Sequence, residues 1–191
     1  MLVEEAILTR RSVTRLTGQV ADEDLMAMMA AGVHAPNHRL TEPWQFTVVR
    51  GQSRVELGRV WGEESTRDKE HLTPAQRDAV FRKEAAKLVR APVLIVVSLR
   101  VDADPVVYEE DFAATAAAVQ NMLLVAHARG LGAIWRTGKM VRSARVKQFL
   151  QLSTEDVIVA ILYVGEPAES VTTSRPRKIS DVIRWLDGST L

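Results

Sequence analysis

The sequence predicts an α+β fold, a three-layer α-β-α sandwich around a small mixed, mostly antiparallel sheet. Two β-branched apolar runs, residues 93–99 and 157–164, are typical of buried central strands. Between them lies the longest helical pattern, residues 109–129, whose apolar middle indicates a helix buried on all sides. About six helices and about four strands are expected, and they do not alternate strictly, which disfavours a parallel sheet of β-α-β units.

The elements before the first central strand are mostly helical. A short helix is predicted at residues 3–9, and Asp22 is a good N-cap for a second helix that Gly32 and Pro36 end. Residues 46–49 read as a short strand and residues 52–66 as a helix. A further helix is capped by Thr73 and opens with a proline, because proline suits the first helical turn.

The elements after the long helix are shorter. Two glycines lead into a predicted strand at residues 133–136, and a short helix is expected at residues 143–150. After the second central strand, residues 165–178 are predicted to form an extended polar tail and residues 179–186 a closing helix. No internal repeat or compositional break divides the chain, so residues 1–191 are expected to form one domain.

Composition excludes several classes of protein. The 191 residues contain 25 Lys and Arg against 24 Asp and Glu, and a net charge of +1 argues against a general nucleic-acid binder. The absence of cysteine excludes disulfides, thiolate metal sites and a cysteine nucleophile. Glu4 and Glu5 stand where a signal peptide would be basic, and the apolar stretch at 112–128 is too short and interrupted for a membrane span. We therefore expect a cytoplasmic protein with no membrane partner.

The usual nucleotide-binding and catalytic motifs are incomplete. Gly130 and Gly132 begin a dinucleotide fingerprint, but Trp135 occupies the third glycine position. No P-loop and no nucleophile elbow is present. His34 and His38 have the spacing of a helical metal pair, yet a proline between them breaks the helix, so no metal site is expected.

Two basic clusters lie near the two ends of the sequence. Arg10, Arg11 and Ser12 can hold a phosphate through forked, charge-assisted hydrogen bonds, although a solvated basic patch would look the same. Residues 175–178 form the second cluster. If the two ends meet in space, the clusters can clamp one phosphate; otherwise the second belongs to a polar tail.

Two further segments combine aromatic and polar side chains. A proline-stiffened loop presents Asn37 and His38 as hydrogen-bonding groups and Trp44 as a flat apolar face, which suits a planar heteroaromatic ligand. Trp135 and Arg136 end a strand, where ligand sites often lie. The alternative is that both tryptophans belong to the core and that Arg136 extends to solvent.

Three motifs in this order, RRSVTR, APNHRLTEPWQF and GLGAIWRTG, resemble those of the FMN-dependent nitroreductase family, in particular its short bacterial subgroup of YdjA-type NAD(P)H nitroreductases. The resemblance extends from Ile7 to about Lys178. It implies a single FMN-binding domain in an intertwined homodimer, with FMN at the subunit interface. It also implies ping-pong hydride transfer from NAD(P)H through flavin N5 to nitroaromatic or quinone-type acceptors, with no catalytic side chain.

The resemblance implies one cofactor site assembled from five stretches of the chain. The residues that it assigns to FMN are Arg10, Arg11, Ser12, His34, Asn37, His38, Pro43, Trp44, Trp135, Arg136, Thr137, Arg175 and Lys178. The first three would hold the phosphate and ribityl chain, and the last two would complete the phosphate clamp. The two histidines and the asparagine would reach the flavin of the partner subunit, whereas the remaining residues would line the isoalloxazine ring.

The sequence departs from the family pattern at two positions and leaves other activities open. Thr14 stands where many members carry a basic residue, and Glu42 where many carry glutamine. The same fold would also suit dehalogenation, enone reduction or oxygen-dependent flavin chemistry. A flavin-binding protein without turnover, or a structural module without cofactor, is a further alternative.

Overall fold

The computed structural model describes residues 1–169 and 178–186. The elements in chain order are α1 (Val3–Thr9), β1 (Leu16–Thr17), α2 (Asp22–Val33), β2 (Trp44–Arg50), α3 (Gln52–Glu64), α4 (Pro74–Ala85), β3 (Val93–Leu99), α5 (Pro105–Ala128), β4 (Gly132–Arg136), α6 (Ala144–Phe149) and β5 (Val157–Pro167). Four short 3₁₀ turns accompany them, at His38–Leu40, Ala86–Val89, Lys139–Arg142 and Ile179–Asp181.

The long strand β5 lies at the centre of the sheet. β3 pairs with one edge of β5, and β2 pairs in turn with β3. β4 and β1 also pair with β5, and all four strand pairings are antiparallel. One isolated parallel bridge joins Ser12 to Ala133. The prediction of a small mixed, mostly antiparallel sheet is therefore confirmed.

Helices cover both faces of this sheet. On one face, Met28 of α2 and Met122 of α5 pack with sheet residues such as Ile95, and all three are completely buried. On the other face, Leu57 of α3 packs with Leu94 and its neighbours in a second apolar cluster. The three-layer α-β-α sandwich predicted from the sequence is the observed architecture.

The central helix α5 is longer and less uniformly buried than the sequence predicts. It begins at Pro105 because the Asp104 side chain caps it, accepting a hydrogen bond from the Val106 N–H at 2.9 Å. One side packs into the sandwich, but Phe112 remains 40% exposed and Ala113 is exposed as well. Burial on all sides is thus not reached within a single chain.

The C-terminal region differs from its prediction in two places. β5 continues through Pro167 rather than ending at 164, because β1 pairs with Glu166 and Pro167. The predicted closing helix at 179–186 is wrong; only a single 3₁₀ turn, Ile179–Asp181, forms there. Trp185 is 77% exposed, so this segment lacks the packing that would stabilise a helix. No helix in the described part of the chain is long and apolar enough to cross a membrane.

Candidate functional site

The segment after α1 runs beside β4 and brings two of the three sequence motifs together. Ser12 bridges Ala133, and the Val13 N–H donates to the Ala133 carbonyl at 3.1 Å. Gly132 permits this approach, since a Cβ atom there would lie 2.7 Å from a methyl carbon of Leu16. The RRS motif and the IWRTG motif are therefore neighbours in space, although more than half of the chain separates them in sequence.

Arg10 is a partly buried cation beside a second cation. Burial, and then the charge of Arg11, lower the pKa of Arg10 below its ordinary value. The Arg11 guanidinium is turned toward the backbone and donates to the carbonyls of Leu8 and Arg10, each at 2.8 Å. No carboxylate pairs with Arg10 within residues 1–169 or 178–186. An anion bound here would offset both unfavourable effects.

A cavity of about 780 Å³ opens between the turn that follows β4 and the helices α3 and α4. It is within the size range of small-molecule and cofactor sites. Trp135, Arg136 and Thr137, three residues that the sequence assigns to FMN, line it. The Arg136 guanidinium lies 5.5 Å from the centroid of the Tyr163 ring, which forms part of the same wall.

The opposite wall is fixed by a hydrogen-bonded carboxylate. Trp61 Nε1 donates to Glu84 Oε2 at 2.9 Å, and Lys87 Nζ donates to both Glu84 oxygens at 2.6 Å. Burial opposes the ionisation of Glu84, but the hydrogen bonds from Lys87 and Trp61 outweigh it and lower the pKa below 4.5. Glu84 is therefore ionised at neutral pH. Burial raises the pKa of Tyr163, despite the opposing charges of Arg136 and Arg90, so its hydroxyl stays protonated.

The loop between α2 and β2 is anchored on the start of α5. Asn37 Nδ2 donates to Thr41 Oγ1 at 3.0 Å, and the Thr41 hydroxyl donates to the buried carboxylate of Asp111. His38 Nδ1 lies 2.9 Å from Glu110 Oε2. The Glu42 N–H donates to Asn37 Oδ1 at 2.7 Å.

This loop is also conformationally strained. Arg39, Leu40 and Glu42 have φ values of 61°, 52° and 46°, in the left-handed region that side chains other than glycine rarely adopt. Such strain persists only where the surroundings enforce it and is concentrated at functional sites. Here the Asn37 and Asp111 hydrogen bonds supply the enforcement.

The loop residues assigned to FMN fall into two groups. His34 and His38 are exposed and do not line the 780 Å³ cavity of their own chain. Pro43 and Trp44 are buried; Trp44 packs with Ala35 of the loop and with small residues of α5. Within one chain, Trp44 therefore belongs to the core.

The two residues assigned to the C-terminal part of the phosphate clamp have different outcomes. Lys178 is exposed at the start of the Ile179–Asp181 turn, and Arg175 lies outside the described residues.

Sequence reasoning also missed Trp61, Glu84 and Tyr163 as walls of the 780 Å³ cavity. Trp61 and Tyr163 lie in patterns typical of core helices and strands, so only the tertiary arrangement reveals their position.

Comparisons with known proteins agree with the arrangement of the motifs. A family model described as the nitroreductase family matches residues 7–166. Escherichia coli YdjA, provisionally named an NAD(P)H nitroreductase, is 30% identical over 173 residues, covering 89% of this chain and 91% of YdjA. A solved nitroreductase-like family protein from Bacillus cereus has a TM-score of 0.85 and 26% identity, covering 98% of this chain and 97% of its own. A Desulfovibrio desulfuricans protein, provisionally named a nitroreductase and solved in complex with FMN, has a TM-score of 0.72 and 28% identity, covering 95% and 94%.

Proposed function

The chain belongs to the nitroreductase family, and from this premise we propose that it is an FMN-dependent NAD(P)H oxidoreductase acting on nitroaromatic or quinone-type acceptors. The observation that carries the proposal is the parallel bridge between Ser12 and Ala133. It joins a candidate phosphate-binding segment to a strand whose end lines a cofactor-sized cavity. A relative named for NAD(P)H and a similar structure solved with FMN support the same assignment.

Arg10, Arg11 and Ser12 would hold the phosphate and ribityl chain of FMN. Arg10 fits this role because its charge is partly buried and lies beside that of Arg11, and a phosphate would offset the charge of Arg10. Lys178, and Arg175 beyond the described residues, would contribute further positive charge to the same phosphate. The two ends of the chain would then share one anion.

The isoalloxazine ring would lie against the turn formed by Trp135, Arg136 and Thr137. Bound FMN would supply hydride acceptance from NAD(P)H and hydride donation to the acceptor at N5, in a ping-pong sequence. The chain's own residues would position the ring and stabilise its negative charge when reduced, with Arg136 as a cation on the wall beside it. No side chain would act as a general acid or base.

We further propose that residues 1–191 act as one domain in a homodimer. Apolar side chains are exposed on α1 and on the segment after the last turn: Val3 is 68%, Leu8 72% and Leu186 84% exposed. Exposed apolar surface of this kind is typical of an interface. His34 and His38 would then reach the flavin of the partner subunit, since they do not face the cavity of their own chain.

The proposal is tested by the visible spectrum and turnover of the purified protein. FMN reconstitution should give absorption bands near those of free flavin, and NAD(P)H should be oxidised when a nitrofuran or menadione is added. A protein that binds no FMN would refute the assignment. A yellow protein with no turnover above free FMN would leave only flavin binding, and turnover confined to halogenated aromatics or enones would assign one of the other reactions to the fold.

A further inference from the structure

A second cavity, of about 800 Å³, lies on the other side of the turn that closes the first. Thr137, Gly138 and Lys139 line both cavities, so this turn forms a wall that the two share. The second cavity is bounded by the first turns of α5, by the Lys139–Arg142 turn and by the beginning of β5. Of the described residues that the resemblance assigns to FMN, Thr137 alone lines this second cavity.

The charge of this second cavity is entirely positive. Lys139, Arg142 and Lys147 contribute to its lining, and no carboxylate does so among the residues that the structure describes. Lys147 Nζ donates to the Thr154 carbonyl at 2.7 Å, but Lys139 and Arg142 are exposed and form no ion pair within the described part of the chain. The first cavity, in contrast, includes carboxylates such as Glu84 in its wall.

Two aromatic rings complete the second cavity. Tyr108 and Phe112 lie one helical turn apart on α5, with ring centroids 6.3 Å apart and an interplanar angle of 55°. Phe112 is 40% exposed, although Asp111 and Ala114 beside it on α5 are buried. Apolar side chains at the start of β5, including Val157 and Val159, form the floor.

This combination would suit a flat aromatic ligand that carries a negative charge. The rings and the apolar floor bury the hydrocarbon part, while the guanidinium of Arg142 offers a fork that matches a carboxylate or sulfonate. A neutral aromatic would gain the apolar contacts but would leave the cations uncompensated. The cavity therefore distinguishes ligands by charge as well as by shape.

We propose that this second cavity is the subsite of the oxidising substrate, and that it selects aromatic acceptors bearing a carboxylate or sulfonate. The inference rests on the proposed function, because the turn shared by the two cavities would place such an acceptor beside the flavin. A phosphate of the donor NADPH is negatively charged as well, so the test must distinguish the acceptor from the donor.

Arg142→Glu is the discriminating substitution. Arg142 lines only the second of these two cavities and is exposed, and its replacement breaks no ion pair among the described residues. FMN-loaded wild type and variant are compared with 4-nitrobenzoate and with the neutral 4-nitrobenzyl alcohol. Arg142→Lys keeps the charge, and Lys83→Glu makes the same charge change at an exposed lysine on α4.

We expect Arg142→Glu to raise the KM for 4-nitrobenzoate, relative to that for 4-nitrobenzyl alcohol, by about tenfold or more. Arg142→Lys should recover most of the difference, and Lys83→Glu should leave the ratio within about twofold. Binding without turnover is measured by calorimetry with 2-naphthoate and 2-naphthalenemethanol. Only the affinity for the carboxylate should fall in Arg142→Glu.

Three results would overturn the inference. An unchanged ratio of the two KM values would mean that Arg142 does not meet the acceptor. A rise confined to the KM for NADPH would assign the cations to the donor, and a weaker affinity for FMN would assign them to the flavin phosphate. If wild type binds FMN and reduces 4-nitrobenzyl alcohol, these outcomes refute the subsite alone; if it does neither, the proposed function itself fails.

Discussion

Replacing Arg10 by alanine should weaken FMN binding while leaving the apo-protein about as stable as the wild type. In the absence of an anion, the Arg10 charge is partly buried and lies beside that of Arg11, and both effects lower its pKa. Removing this charge relieves the folded apo-protein, but it also removes the packing of the aliphatic part of the side chain. The two effects oppose one another, so the free energy of unfolding should change by no more than about 0.5 kcal/mol.

Arg10→Ala should have a larger effect on the affinity for FMN than on stability, and it should only weaken that affinity. A hydrogen bond to a charged group contributes about 1.5–3 kcal/mol, which corresponds to a rise in Kd of about 10- to 150-fold. Arg15 provides the matched control, because it lies on the same segment but is 72% exposed and its guanidinium is 3.5 Å from Glu169. Arg15→Ala should change the Kd by no more than about twofold, since exposed ion pairs contribute little.

The assay is titration of each apo-protein with FMN, followed by quenching of flavin fluorescence, with urea unfolding of the same preparations. An Arg10→Ala protein whose Kd stays within about twofold of wild type would refute the phosphate role. Equal losses in Arg10→Ala and Arg15→Ala would show that only overall charge matters. A large loss of apo-protein stability would show that the Arg10 charge is not unfavourably placed.

Two further substitutions test the loop anchor and the wall of the first cavity. Asp111→Ala should lower the free energy of unfolding by about 1–3 kcal/mol, because it leaves the Thr41 hydroxyl without its buried acceptor. Asp111→Asn retains an acceptor and should lower the free energy of unfolding less. Equal urea midpoints for wild type and both variants would contradict the role of Asp111 as an anchor of the loop. Glu84→Gln should remove a stabilisation that is present above pH 4.5, since folding lowers the pKa of Glu84. In urea unfolding, the difference in free energy of unfolding between wild type and variant should be full at pH 7 and shrink as the pH falls below 4.5. A difference that grows toward acidic pH would show that folding raises this pKa instead.

Sequence reasoning located the buried strands well because their signal is local. The helix Val3–Thr9 and the strand Val93–Leu99 have the bounds that the apolar pattern predicts. The start of α5 was missed, although Asp104 and Pro105 carry the usual signs of a helix N-terminus.

Features that depend on distant partners could not be predicted in the same way. The strand Leu16–Thr17 exists only because it pairs with Glu166 and Pro167, about 150 residues later in the chain. Burial of the Asp111 carboxylate likewise depends on the Thr41 hydroxyl from another loop. Trp44 illustrates the converse: a ring next to polar residues suggests a ligand, yet packing places it in the core of its own chain.

The two proposed ligand sites depend on a single glycine in the turn between them. Gly138 lines both cavities and has a φ of 109°, a conformation that residues with a side chain rarely adopt. A Cβ at this position would meet no atom within 4 Å, so the requirement for glycine arises from the backbone and not from crowding. The path of the turn is therefore specified locally, and the turn forms part of the wall of both cavities. If the acceptor must lie beside the flavin for hydride transfer, the conformation of this turn contributes to that condition, because the same three residues line both proposed sites.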